Sequence, residues 1–437
     1  MCYTLIWVAP QKFIIAFVPL REVEGRKLFL LSQNKNKEDN MKTQSFNEIE
    51  NLTKEYSMIP ICKEIYADVI TPIQLLRKME AFDKNFFLLE SVEGGEKWAR
   101  YSFLGYEPVL HITCKNGKVT QKSGEIEHTV TVDPMDALRQ LLHKYKSPKI
   151  EGMPTFTGGF VGYFGYEMIG YAEPKLNIKD SEFDDYNLML FDKVIVYDHL
   201  KQKIMVIANM KSKDGIQGYN TALLEIEKMI ALINDQRKLP VLEADKDVKF
   251  KCNVTKEEYC RMIEKTKHYI KEGDIFQGVI SRRFVADYKS SLINAYRVLR
   301  TTNPSPYMHF IQSDDLQIAG ASPETMVKLV DGKLTTFPVA GTRPRGVNDE
   351  QDKTLEKELL ADEKELAEHN MLVDLARNDM GRIAKYGSVY LEDYMKIHRF
   401  SKVMHIASTV CGQIREDKDG CDTVAALLPA GTLSGAP

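Results

Sequence analysis

The sequence predicts an α+β protein built on a mainly antiparallel sheet with helices on its outer face. Three observations carry this. Short apolar runs such as "YMHFIQ", "LQIAGAS", "TMVKLV" and "KLTTFPV" follow one another at hairpin distance. Asn116-Gly117 and Asp331-Gly332 each separate two strand-like runs, and such pairs suit the positive φ angles of two-residue hairpin turns. Segments with apolar residues at helical spacing lie between the strands.

The first forty residues stand apart. "YTLIWVAPQKFIIAFVPL" is apolar but carries Lys12 and is interrupted by Pro10 and Pro19. It has neither a basic leader nor a small-residue cleavage site, and it is too broken for a membrane span of about 20 apolar residues. Residues 1–40 are expected to be an extension that the fold does not need, with a weak membrane-surface anchor as the alternative. From Met41 to Lys238 helical patterns and short strands alternate: "TPIQLLRKMEAF" reads as a helix, "NFFLLES" as a strand, and a helix is expected over about 219–235. "FTGGFVGYFGYEMIG" is rich in glycine but lacks the strand, GxGxxG and helix order of a nucleotide loop. Close backbone packing in a sheet explains it better.

A polar connection over 239–252 leads into the second half, 253–437. Thr255 with Glu258 forms a capping box, Tyr259, Met262, Ile263 and Ile270 give one apolar face, and Gly273 ends the helix. "IFQGVISRRFV" reads as the next strand. A formal net charge of −3 gives no reason to expect nucleic acid or an anionic membrane as partner. The seven cysteines are odd in number and include no CxxC pair, which fits reduced thiols in the cytoplasm.

Four stretches could carry chemistry. "DEKELAEHNMLVDLARND" (362–379) is a helix on which Leu366, Met371, Leu372 and Leu375 supply a buried stripe, while Glu365, Glu368 and His369 are expected on another face. Two carboxylates so placed suit magnesium, which uses one or two carboxylates with waters and substrate oxygens; a merely solvated acidic face is the alternative. "FPVAGTRPRG" (337–346) turns at Gly341 and displays Thr342, Arg343 and Arg345, whose guanidinium forks suit carboxylates unless the loop simply faces solvent. "GASPE" ends a strand at Glu324, which could act as a general acid if buried. His405 in "SKVMHIAST" lies on a strand or buried helix, where histidines are often plain core residues.

In this order the stretches are specific. Together with "LLES", "YSFLG", "GDIFQ", "SRRF", "NPSPYM" and "PAGTLSGAP", they make the chain from about residue 58 onward resemble component I of anthranilate synthase, within the chorismate-utilising enzymes. The resemblance implies two large, mainly antiparallel sheets packed as a sandwich with helices outside. It implies conversion of chorismate and ammonia to anthranilate and pyruvate, with Mg2+ as cofactor on Glu368 and Glu365 in support. Glu324 is implied as general acid for the departing C4 hydroxyl and His405 in the loss of pyruvate. Thr342, Ala340 and Gly341 are implied to line the substrate.

Gln277 stands where relatives that deliver water to chorismate carry a lysine base, and Ala340 where aminodeoxychorismate synthases carry a nucleophilic lysine. Both differences imply an amine nucleophile and anthranilate as product. "LLES" and "NPSPYM" imply a tryptophan feedback site at Ser91, Pro306, Tyr307 and Met308. A glutamine amidotransferase subunit, anthranilate synthase component II, is implied as partner in a hetero-oligomer.

Two departures accompany the resemblance. Gly278 follows Gln277 where a branched apolar residue is usual. The family continues beyond the "GTLSGAP" motif with a second glutamate ligand, a substrate-gripping arginine and a glycine-rich loop. Without them Glu368 is expected to hold magnesium weakly and a sheet edge to be exposed. The alternative readings are an inactive fragment that still binds tryptophan or the partner, and an aminodeoxychorismate synthase.

Overall fold

A computed structural model of the chain describes residues 43–91, 100–178, 180–245, 247–322, 324–400, 402–430 and 433–436, with the backbone alone for 2–9 and 12–17. The strands form two large sheets, and every described pairing in them is antiparallel. The larger has 12 described strands. It begins at the edge strand Val339–Pro344 and continues through Val403–Gln413, Lys333–Thr336 and Lys328–Val330. Gly159–Gly165, Tyr186–Phe191 and the Leu110–Lys115, Lys118–Ser123 and Ile126–Thr131 meander complete its far side. The smaller sheet runs Leu316–Ser322, Tyr307–Ser313, Asn85–Glu90, Tyr101–Tyr106, Lys193–Asp198, Lys203–Lys211, Met58–Tyr66. Both sequence halves therefore contribute to both sheets, so the linear division at the connection is not a division in space.

The layers follow from strand alternation. Phe87, Val161, Tyr163, Phe191, Val196 and Ile311 fill the space between the sheets. Leu75, Leu88, Ile226, Tyr296 and Phe310 pack the smaller sheet against its outer helices, and Leu138, Leu188, Val373, Val410 and Val424 do so for the larger. Strands covered on both faces read as continuous apolar runs: Tyr186–Phe191 and Lys193–Asp198 are buried at every position. This is the sandwich with outer helices that the resemblance implies.

The turn chemistry also holds. Asn116 and Gly117 (φ 50° and 73°) and Asp331 and Gly332 (φ 51° and 76°) take the left-handed conformations that a two-residue hairpin needs. Gly162 has no room for a side chain, because a Cβ there would collide with the Asn187 carbonyl on the neighbouring strand. The capping box of Thr255 and the left-handed Gly273 (φ 84°) bound the helix Lys256–Glu272 as expected.

Three expectations are corrected. "IFQGVISRRFV" makes only the two-residue strands Gln277–Gly278 and Phe284–Val285, because its only described ladders are to Gly435–Ala436 and Lys251–Cys252. The apolar face of Lys256–Glu272 buries no residue; Ile270 stays 40% exposed. Residues 1–40 are not wholly outside the sheets: Cys2–Ala9 pairs with Lys328–Val330, and Lys12–Phe17 pairs with Gly159–Gly165. That hairpin occupies a gap whose edges would otherwise be unpaired; residues 18–40 lie outside the described ones. The connection over 239–252 is pinned, since the Asn294 amide donates to the Leu242 carbonyl at 3.1 Å and the Ser290 hydroxyl to Asp245 at 2.7 Å. Among the described residues no helix is long and apolar enough to cross a membrane.

Candidate active site

The acidic helix spans Glu363–Gly381 and begins at Asp362, whose carboxylate accepts from the Lys364 and Glu365 amides at 3.1 and 3.3 Å. Its buried face consists of His369, Leu372, Val373 and Met380. His369 thus belongs to the stripe and not to the acidic face where the sequence reading put it. Three and four residues separate it from Leu372 and Val373, which is the spacing of one helical face. Burial is tolerable because its Nε2 lies 2.6 Å from the Ser408 hydroxyl, which also accepts from the Met395 amide at 2.9 Å. Burial lowers the His369 pKa to about 4, so the ring is neutral at pH 7.

With His369 turned inward, Glu365 and Glu368 stand half-buried on the flank. Neither carboxylate has a hydrogen-bond or ion-pair partner among the described residues. Glu368 opens onto a cleft of about 500 Å³ lined also by Phe276, Gln277, Lys364, Ala367 and Met371. Gln277 Oε1 is buried there without a hydrogen-bond partner among the described residues. Lys364 was missed in the sequence, although it stands one helical turn before Glu368. A Cβ on Gly278 would meet Thr266 Cγ2 at 2.6 Å, so this chain packs its Lys256–Glu272 helix where a branched residue would intrude.

Gly341 makes the second feature. The pairing of Val339–Pro344 with Val403–Gln413 slips between Ala340 and Thr342, and Gly341 takes φ 69° in the bulge. A Cβ on it would stand 3.1 Å from Leu359 and 3.2 Å from Glu365 Oε2, so the acidic helix can approach only because the residue is glycine. Ala340 is buried. Across the bulge His405 Nδ1 lies 3.1 Å from the Gly341 carbonyl and 3.0 Å from Thr342 Oγ1. A carbonyl only accepts, so Nδ1 carries the proton and Nε2 keeps its lone pair. His405 alternates with Met404 and Ile406, which pack beneath the helices. The His405–Thr342 pair therefore leaves the strands on the face opposite to the acidic helix.

Arg343 and Arg345, displayed by the same loop, are committed elsewhere. Arg343 pairs with Asp362 at 2.8 Å and Glu358 at 3.1 Å, and Arg345 pairs with the buried Asp352 at 2.6 Å. They hold the helix Asp349–Ala361 and the acidic helix against the strand and leave no fork for a substrate.

Glu324 sits in the crossover from the smaller sheet to the larger. Its amide donates to the Ser322 hydroxyl at 3.2 Å, and the Met326 carbonyl accepts from Thr336 at 2.8 Å, which ties the crossover beside the Ala340–Thr342 strand. Burial raises its pKa to about 7 with no charged neighbour contributing. Glu324 makes no described hydrogen bond to Thr342, His405 or Glu368.

The four residues expected at a tryptophan site lie on two neighbouring strand ends, with Tyr307 and Met308 on opposite faces of the sheet. Met308 pairs across the ladder with Glu90, beside Ser91. Pro306 and Met308 are buried. Alternation sends Met308 under the helix Ile293–Thr302 and Tyr307 into the layer between the sheets. Glu90 is buried and held by Tyr296 at 2.7 Å and Arg300 at 2.9 Å, with both partners on that helix.

Residues 84–437 match the family model of chorismate binding enzymes. The chain is 43% identical over 404 residues to anthranilate synthase component 1 of Acetivibrio thermocellus, covering 90% of this chain and 82% of that one. It is 42% identical over 410 residues to the Aquifex aeolicus protein of the same name, covering 90% and 81%. Among solved structures, anthranilate synthase component I from Streptococcus pneumoniae superposes with a TM-score of 0.69 at 35% identity, covering 85% of this chain and 81% of that one. The menaquinone-specific isochorismate synthase of Escherichia coli shares the fold, with a TM-score of 0.59 at 16% identity over 90% and 79%.

Proposed function

The chain belongs to the chorismate binding enzyme family, and on that premise we propose that it is an anthranilate synthase large subunit, converting chorismate and ammonia to anthranilate and pyruvate. The observation that carries this reading is the cleft shared by Glu368 and Gln277. An amide oxygen buried there without a partner among the described residues can accept a hydrogen bond from an incoming amine, yet it is far too weak a base to take a proton from water. Ala340, likewise, offers no covalent nucleophile.

Glu365 and Glu368 fit a magnesium ion: two unpaired carboxylates one turn apart, half-buried, suit a cation that completes its shell with water and substrate oxygens. When bound, magnesium would neutralise and polarise the ring carboxylate of the substrate. No larger cage of His, Cys, Asp or Glu is gathered among the described residues.

The chain's own groups divide the rest. Ammonia forms the bond to C2 while the C4 hydroxyl leaves, and Glu324, protonated near neutrality, gives that hydroxyl the proton it needs to depart as water. His405, with its proton fixed on Nδ1 by the Gly341 carbonyl, keeps the Nε2 lone pair that we assign to the C2 proton as pyruvate is expelled and the ring becomes aromatic; since it leaves the strand on the face away from Glu368, this role requires the substrate to lie across the bulged edge strand. Thr342 orients that imidazole, and we assign it a place among the substrate contacts. We further propose that ammonia comes from a glutaminase partner, that tryptophan inhibits by binding at Ser91, Pro306, Tyr307 and Met308, and that the protein works in the cytoplasm.

The test is anthranilate fluorescence from the purified chain with chorismate, magnesium and an ammonium salt. Product that disappears in Glu368→Ala supports the reading. Binding of tryptophan or of the glutaminase without any product under these conditions would leave a binding protein instead.

A further inference from the structure

The crossover that carries Glu324 is held from both sides by a single residue. Tyr307 pairs with Ser322 across the ladder, and Ser322 in turn caps the Glu324 amide through its hydroxyl. On the far side the buried Thr325 hydroxyl donates to the Tyr307 phenol oxygen. Tyr307 therefore brackets the acid, two residues before it through the backbone and one residue after it through the side chain. The third hold, Thr336 on the Met326 carbonyl, comes from the larger sheet.

We propose that Tyr307 is a positioning residue for Glu324, acting through Thr325, so that the strand bearing the feedback residues and the turn bearing the acid move as one body. This rests on the proposed roles of Glu324 and of the feedback site. Its content is that a change at Tyr307 alters the rate of the chemical step by displacing the acid, without needing to reach the substrate cleft. A bond from hydroxyl to hydroxyl suits this task, because either rotor can release while the aromatic ring stays packed between the sheets.

The experiment compares the full chain with Tyr307→Phe, Thr325→Val and Thr325→Ser by hydrogen–deuterium exchange and by steady-state kinetics. Amides of residues 324–326 are expected to exchange about 3- to 10-fold faster in the first two variants and at the native rate in Thr325→Ser, while those of Val403–Gln413 stay unchanged. The rate constant kcat should fall by about 3- to 10-fold with KM for chorismate within about twofold, and Thr325→Ser should restore it. Tryptophan should still bind Tyr307→Phe but inhibit it less. Unchanged exchange at 324–326 overturns the bracket; faster exchange with unaltered kcat overturns the positioning role. Full activity of Glu324→Gln, or no turnover by the unaltered chain, would fall on the proposed function, and the exchange data would still decide the bracket.

Discussion

His369 Nε2 stands 2.6 Å from the Ser408 hydroxyl, which fastens the middle of the glutamate-bearing helix to the strand that carries His405. The helix has one rotational setting that satisfies this bond, and in it Glu365 reaches the Gly341 bulge while Glu368 opens onto the cleft. Ser408→Ala leaves a buried imidazole nitrogen and the Met395 amide without their partner, at a cost of about 1–3 kcal/mol. Thermal unfolding should show it as a lower Tm, and the magnesium concentration for half-maximal activity should rise.

Gly341→Ala should be worse than its size implies. The residue would be forced to keep φ 69° and to place a methyl 3.2 Å from Glu365 Oε2. Backbone strain of this kind costs on the order of 1–3 kcal/mol, and the helix must also retreat from the bulge. Chemical denaturation would measure the first effect; the second would appear as a weaker requirement for Glu365, so that Glu365→Gln adds little in the Ala background.

Glu324 should dominate the pH dependence of the chemical step. Its folded pKa of about 7 lies above its ordinary value, so the folded state holds the proton more tightly than the unfolded chain does. The stability it contributes is present below the ordinary carboxylate range and is lost as pH rises through about 7. Glu324→Gln should flatten stability over that interval. It should also lower kcat by about 10²- to 10⁴-fold and remove the fall in rate above neutrality that a titrating acid produces.

His309 has the opposite sign. Its ring is buried against Gly320, where a Cβ would collide with it, and burial lowers its pKa to about 3. The unfolded chain takes up the proton first, so this stability is complete above about 6.5 and is lost as pH falls toward 3. Glu324 acts in the opposite sense over the same interval, so His309 is read by comparison: between pH 7 and pH 4.5, urea unfolding of His309→Phe should lose about 2–3 kcal/mol less than that of the unaltered chain.

Arg300→Leu should expose how much of the smaller sheet depends on one charge. Glu90 is buried and its carboxylate is balanced by Arg300. Removing the guanidinium leaves an uncompensated buried charge, a loss of about 3–5 kcal/mol. Glu90→Gln combined with Arg300→Leu should recover much of it in the same denaturation experiment.

Much of this was legible in the sequence because it is local. The Asn-Gly and Asp-Gly turns, the Thr255 cap and the strand "NFFLLES" are fixed by residues within a few positions of one another. Glu368 and Gln277 were singled out by motif, and they share a cleft. What was not legible depends on distant partners. The burial of His369 is decided by Ser408, 39 residues away. The arginines of "GTRPRG" look available until Glu358, Asp362 and Asp352 fold back onto them. The hairpin of Cys2–Ala9 and Lys12–Phe17 has a place only because strands from both halves leave a gap between them. No periodicity announces such a gap.

The pairing of Met308 with Glu90 sets a schedule for synthesis. The strand Asn85–Glu90 emerges from the ribosome long before Tyr307–Ser313 exists to cover it. At about 5–20 residues per second, an apolar strand edge stays open for roughly 10–40 s. The smaller sheet cannot close during that time, and "NFFLLE" is the kind of segment that pairs with another nascent copy. Yield in a host cell should therefore respond to chaperone supply and growth temperature more than to the stability of the finished fold.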